Sequence, residues 1–136
     1  MDTYFDLGGY SVPVTTQSTE AQTWFDRGVL WTYGYNHEEA VTCFERAIDA
    51  DPKCAMAHWW AGYAAGPNYN MPWDLFDYAG RAAAARAGYV HARKALDLID
   101  GVTGWEAALI HALPARHPQP DPLDSKAMKA WNADFA

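Results

Sequence analysis

From position 19 onward, apolar residues recur at helical spacing, and nowhere do they alternate long enough to make a useful strand. Residues 1–18 hold Gly8, Gly9, Pro13 and a Thr/Ser run, which predicts an extended N-terminal arm. Thr19 and Gln22 then stand at capping-box spacing, with Trp24, Gly28 and Trp31 on one face of the helix they open. Gly34 breaks it, and Asn36 is placed to cap a second helix with Glu39 at its third position. Val41, Phe44, Ala47 and Ile48 form the apolar stripe of this second helix, which ends at Pro52. Pro52 suits the first turn of a third helix, because its missing N–H has no partner to lose there. That helix runs to a C-cap at Gly66, followed by Pro67. Residues 79–98 predict a long Ala/Arg helix ended by Asp100-Gly101. Thr103 and Glu106 make a second capping box, for a helix that Pro114 closes, and a sixth helix starts within 123–136. The prediction is an all-α chain of about six helices in antiparallel hairpins.

The first hairpin resembles a tetratricopeptide repeat. That pattern is W-x2-L-G-x2-Y, then A-x3-F, then P, within about 34 residues. Trp24, Gly28, Trp31, Ala40, Phe44, Ala47 and Pro52 stand at the matching places, while Arg27 replaces the Leu and Trp31 the Tyr. Gly62 repeats Gly28, and Ala85, Tyr89 and Ala92 repeat Ala40, Phe44 and Ala47. This last set comes late, so the second repeat carries an insertion of about 11 residues, supplied by Gly66–Tyr78. A degenerate third pair follows from Gly104. The chain is also similar to the N-terminal part of longer microbial tetratricopeptide-repeat proteins of unassigned function. The resemblance implies a short right-handed solenoid over residues 19–136, truncated at its C-terminus. Met128, Trp131 and Phe135 then look like a face awaiting a further helix or another chain.

The resemblance also implies where a ligand would sit. The first helix of each pair lines a concave groove, which assigns Phe25, Val29, Thr32 and Tyr33 from the first pair and Met56, Trp59 and Tyr63 from the second. Repeats that clamp the acidic tails of chaperones line this groove with Lys, Asn and Arg, and this one does not match them. The aromatic arm residues Tyr4, Phe5 and Tyr10 are an alternative filling in cis. The within-pair loops would share one edge of the solenoid. They would gather Asn36, His37, Asn68, Tyr69, Asn70, Trp73 and His117 into a second candidate site. A plainer role for the same residues is structural, with Asn68 or Asn70 capping a turn and Trp73 and Phe76 plugging the gap between pairs.

Composition narrows the chemistry. The chain has 136 residues, half of them hydrophobic and 15% aromatic, enough for one domain with a real core. Its net charge of −7 disfavours nucleic acid and anionic membranes as partners. No apolar run has the length of a membrane span, and the acidic N-terminus lacks the features of a signal peptide, which predicts a cytoplasmic protein. Cys43 and Cys54 fall on adjacent helices at heights about 10 Å apart, too far for a disulfide, so reduced buried thiols are expected. Cys54 and His58 share a helix face, yet a zinc site needs a third and fourth ligand that no spacing supplies. No nucleophile elbow, phosphate loop or dinucleotide fingerprint occurs, so no catalytic residue, metal or cofactor is assigned.

Three functions follow as expectations. The first is a protein-interaction scaffold that binds a hydrophobic or aromatic peptide or helix in an uncharged groove. The second is a small-molecule- or metal-using enzyme with a polar site around His37 and the Gly-Pro-Asn-Tyr-Asn insertion. The third is a structural fragment that associates with itself through its last helix.

Overall fold

A computed structural model of the chain describes residues 3–136, so the first two positions of the expected arm lie outside the described residues. Six α-helices follow the arm: α1 Thr19–Tyr33, α2 His37–Ala50, α3 Ala55–Ala65, α4 Tyr78–Asp97, α5 Gly104–Arg116 and α6 Ser125–Phe135. The fold is all-α. Among the described residues the only β-type pairing is a single bridge between Asn68 and Met71. Each helix packs on the next in the chain, and α3 also meets α1 and α5.

Local signals set most boundaries. Asn36 Oδ1 accepts the Glu39 N–H, as expected, and starts α2. Thr103 and Glu106 close a reciprocal capping box on α5. Three expectations move. Ser18, not Thr19, caps α1 by accepting from Ala21 N, because the Gln22 side chain is turned to the arm instead, donating to Val12 O and accepting from Val14 N. Pro52 precedes α3 rather than opening it, since Cys54 is the N-cap. Pro114 lies inside α5, which continues to Arg116; the ring fits helical φ, and its cost is a lost backbone bond and crowding of the Ile110 carbonyl near the helix end.

The core forms around α3. Eight of its residues are buried, including Met56, His58 and Trp59, so it has almost no solvent face. Phe25 and Val29 from α1, Phe44 and Ala47 from α2, Ala92 and Ala95 from α4, and Ile110 and Leu113 from α5 surround it. A second cluster joins Trp73, Ala84, Ala85, Met128 and Trp131, with Phe76 against it. Trp73, the anchor of the insertion, is fully buried between α4 and α6. The insertion is therefore a plug. Met128 and Trp131, expected as an open face of the last helix, are already covered by it.

The arm runs along α1 without entering the expected groove. Tyr4 lies edge-on to Trp24, its hydroxyl accepts from Trp31 Nε1 at 2.7 Å, and it donates to Glu39 at 2.6 Å. Phe5 is edge-on to Trp31, while Tyr10 is largely exposed. Further along, Val12 N donates to Asp26, and Thr15 reaches Glu106 at the start of α5.

Candidate functional site

The connections segregate to two edges. At one edge the arm, the α2–α3 turn and the α4–α5 turn enclose a cleft of about 740 Å³ around Thr16, Asp51, Asp97 and Val102. Within it Asp51 is already engaged, accepting from the Thr16 hydroxyl and from Lys53 N. At the other edge lie the α1–α2 turn, the Gly66–Asp77 insertion and the end of α5. A cleft of about 550 Å³ there brings Tyr35, Asn36 and His37 beside Gly66, Asn68 and Asn70. A smaller one of about 250 Å³ lies between Tyr63, Pro67, Asn68, Arg116, Asn132 and Phe135.

Asn36, His37, Asn68 and Asn70 share this cleft, and the side-chain oxygens of Asn36 and Asn68 are already engaged. Asn36 caps α2. Asn68 Oδ1 accepts from the N–H groups of Asn70 and Met71, closing the turn. Tyr69 is 92% exposed and points away from any wall, whereas Trp73 is fully buried and cannot touch a ligand. His37 is half-buried, and burial together with the nearby Arg116 charge lowers its pKa.

The residues assigned to the groove divide differently from expectation. Phe25, Val29, Met56, Trp59 and Thr32 are all buried, and Trp59 Nε1 donates to Leu109 O at 2.7 Å. They are core and line no open groove. The register is turned by one residue on α3: Trp60 is the tryptophan with partial exposure, and Trp59 lies beneath the stack. Trp60 joins Tyr33 at 6.3 Å and Tyr63 at 5.5 Å between ring centroids, and Tyr63 continues to Phe135 at 6.3 Å. Tyr33 is 71% exposed; Trp60, Tyr63 and Phe135 are each half-buried. An aromatic ledge thus crosses from α1 over α3 to α6. Trp60, Arg116 and Asn132 carry no site expectation from the sequence, the Trp-Trp pair being the visible signal, whereas Phe135 is expected on a face for a further helix or another chain.

Arg116 closes this ledge at the loop edge. Its guanidinium is 4.6 Å from the Tyr63 centroid and 5.5 Å from that of Phe135. It donates to Tyr63 O in the last turn of α3 at 3.4 Å and to Pro67 O in the insertion, tying the two together. Burial pushes its pKa down to about 10. His117 follows, fully buried against Gly66 and Gly88, and neither ring nitrogen has a hydrogen-bond partner among the described residues. Burial and the Arg116 charge push its pKa down to about 3.

The thiol and the other imidazoles offer no assembled metal centre. His58 Nε2 pairs with Pro52 O at 3.0 Å, and His91 lies 5.8 Å away between ring centroids. Burial lowers the pKa of both, to about 4 for His91. Among the described residues no three His, Cys, Asp or Glu groups gather as a metal would require. Among them, too, no helix is long and apolar enough to cross a membrane. Compared with protein-family models, with curated proteins and with solved structures, the chain gives no match in any of the three.

Proposed function

We propose that this chain is a binding module of tetratricopeptide type that docks a hydrophobic or aromatic segment of a partner protein. The observation that carries the reading is the ledge formed by Tyr33, Trp60, Tyr63 and Phe135. Such rings offer large apolar contact with few rotors to freeze, which is why Tyr and Trp dominate binding hot spots. The solenoid reading is supported by consecutive helices packing in chain order, by α1–α3 and α3–α5 contacts, and by loops that alternate between two edges. Asn36 and Asn68 spend their side-chain oxygens on a cap and a turn, which favours a binding role for this face over a catalytic one.

The test is selection of peptides from a random display library on the purified chain, followed by affinity measurement on variants. Tyr33→Ala should weaken the selected peptides at least tenfold with an unchanged melting temperature. Peptides that bind Tyr33→Ala and Tyr63→Ala as tightly as the parent chain would defeat the reading.

A further inference from the structure

Arg116 is 5% exposed, yet it lines an open cleft. A buried guanidinium is normally matched by a carboxylate. Among the described residues the ion pairs are Arg86–Asp121 and Lys129–Asp74, and none involves Arg116. Its protein partners are the Tyr63 carbonyl in the last turn of α3, the Pro67 carbonyl in the insertion and two aromatic faces. A helix C-terminus carries only about half a negative charge, so part of the cation stays uncompensated. His37 and His117 both feel that charge as a downward push on their pKa.

The rest of the cleft defines what would complete it. The walls are the rings of Tyr63 and Phe135 and the prolines Pro67 and Pro72, with the amides of Asn68 and Asn132 at the rim. Its volume of about 250 Å³ suits a ring-sized group. One cation calls for one negative charge, and apolar walls call for an apolar body. A phosphate dianion would bring a second charge that no side chain here meets. A planar guanidinium with its remaining N–H donors fits the two oxygens of a carboxylate.

We infer that the cleft between Tyr63, Arg116, Asn132 and Phe135 binds a monoanionic carboxylate attached to an aromatic or apolar group, the carboxylate on Arg116 and the apolar body against the paired rings of Tyr63 and Phe135. The inference rests on the binding-module reading of the ledge and adds the chemistry of the ligand's end. In a peptide, that end is an apolar residue with its free C-terminal carboxylate. It differs from an acidic-tail clamp in having one cation and an apolar enclosure.

The probes are 3-phenylpropionate and its uncharged amide, titrated into the full chain by two-dimensional NMR. The carboxylate should bind with Kd in the millimolar range, at least tenfold tighter than the amide, and should shift the Tyr63 and Phe135 ring signals. Arg116→Gln should abolish that preference. Because Arg116 also ties α3 to the insertion, a second variant keeps it in place: Asn132→Asp puts a carboxylate in the same cleft and should reduce 3-phenylpropionate binding at least tenfold while sparing the amide. Equal binding of the two probes overturns the inference and leaves the aromatic ledge standing. Undiminished 3-phenylpropionate binding to Asn132→Asp, or no binding to a folded parent chain, also overturns it, and the library test then judges the ledge separately.

Discussion

Thr15 and Glu106, 91 positions apart, are joined twice: the Thr15 hydroxyl donates to Glu106 Oε1 at 2.6 Å, and the Thr15 N–H donates to Oε2 at 3.0 Å. The same carboxylate accepts from the N–H and the hydroxyl of Thr103 at the head of α5. One side chain therefore caps a helix and ties down the arm. Burial raises its pKa, but the bonds from Thr15 and Thr103 outweigh that and hold it below the usual carboxylate range.

Glu106→Ala should consequently cost about 2–4 kcal/mol, more than a simple cap deletion, because a cap and an arm anchor go together. Glu106→Gln keeps the shape but not the charge and should cost less. Hydrogen exchange at Thr15 should accelerate in both, most in Glu106→Ala. A depressed carboxylate pKa stabilises the fold above the unfolded-state value and is lost as pH falls through the folded one. The arm should therefore loosen only in acid.

Gly28 gives a sharper test of packing. A Cβ built on it would come within 2.5 Å of the Phe44 ring, which Phe25 and Trp60 hold in place. Helix propensity alone would favour alanine by about 1 kcal/mol. We expect Gly28→Ala to lose about 1–3 kcal/mol in urea denaturation, the clash exceeding the gain. Gly101→Ala, where a Cβ would meet nothing within 4 Å, is the matched control and should change stability little.

Three histidines predict the pH profile. His58, His91 and His117 have pKa values lowered chiefly by burial, to about 4 for His91 and about 3 for His117. Below pH ~6.5 the unfolded chain takes up protons that the folded chain refuses, so stability falls as pH falls from that point toward the folded values. Each such histidine contributes a slope of up to about 1.4 kcal/mol per pH unit. Urea midpoints should thus drop between pH 7 and 5. His117→Leu, which removes two nitrogens without hydrogen-bond partners among the described residues, should flatten the profile and lose no stability at pH 7. A profile as steep as the parent's would show that His117 does not titrate in this way.

Cys43 and Cys54 are both fully buried and unbridged, and burial raises the pKa of each thiol. A thiol-specific reagent should react with neither in the native chain on the timescale of minutes and with both in denaturant. Fast native labelling of Cys54 would mean that the α2–α3 turn opens readily.

Trp59 and Tyr33 separate core from ledge. Trp59→Ala should cost about 3–5 kcal/mol, since the ring is buried and its Nε1 is bonded to Leu109 O. Tyr33→Ala should cost less than about 0.5 kcal/mol, since Tyr33 is largely exposed. Thermal melts of both decide it, and only the second variant is informative about binding.

Local chemistry made the six helices legible in the sequence. Asn36, Thr103 and Glu106 cap as their spacing requires, because a cap is decided within one turn of chain. The close approach at Gly28 and the buried Ala40, Phe44 and Ala47 of α2 were also readable, since small and large residues alternate at fixed spacing. The phase of α3 was not. It is apolar nearly all round, so periodicity cannot say whether Trp59 or Trp60 faces inward, and an error of one residue turns the helix by about 100°. Only the neighbours on every side of α3 settle that phase, by burying Trp59 under Leu109 and leaving Trp60 in the ledge. The same holds for Arg116, an ordinary basic residue of the Pro-rich stretch expected after Pro114. Its isolation arises because α3, the insertion and α6 close around it from positions far apart in the chain, and only the tertiary structure supplies that low-dielectric setting.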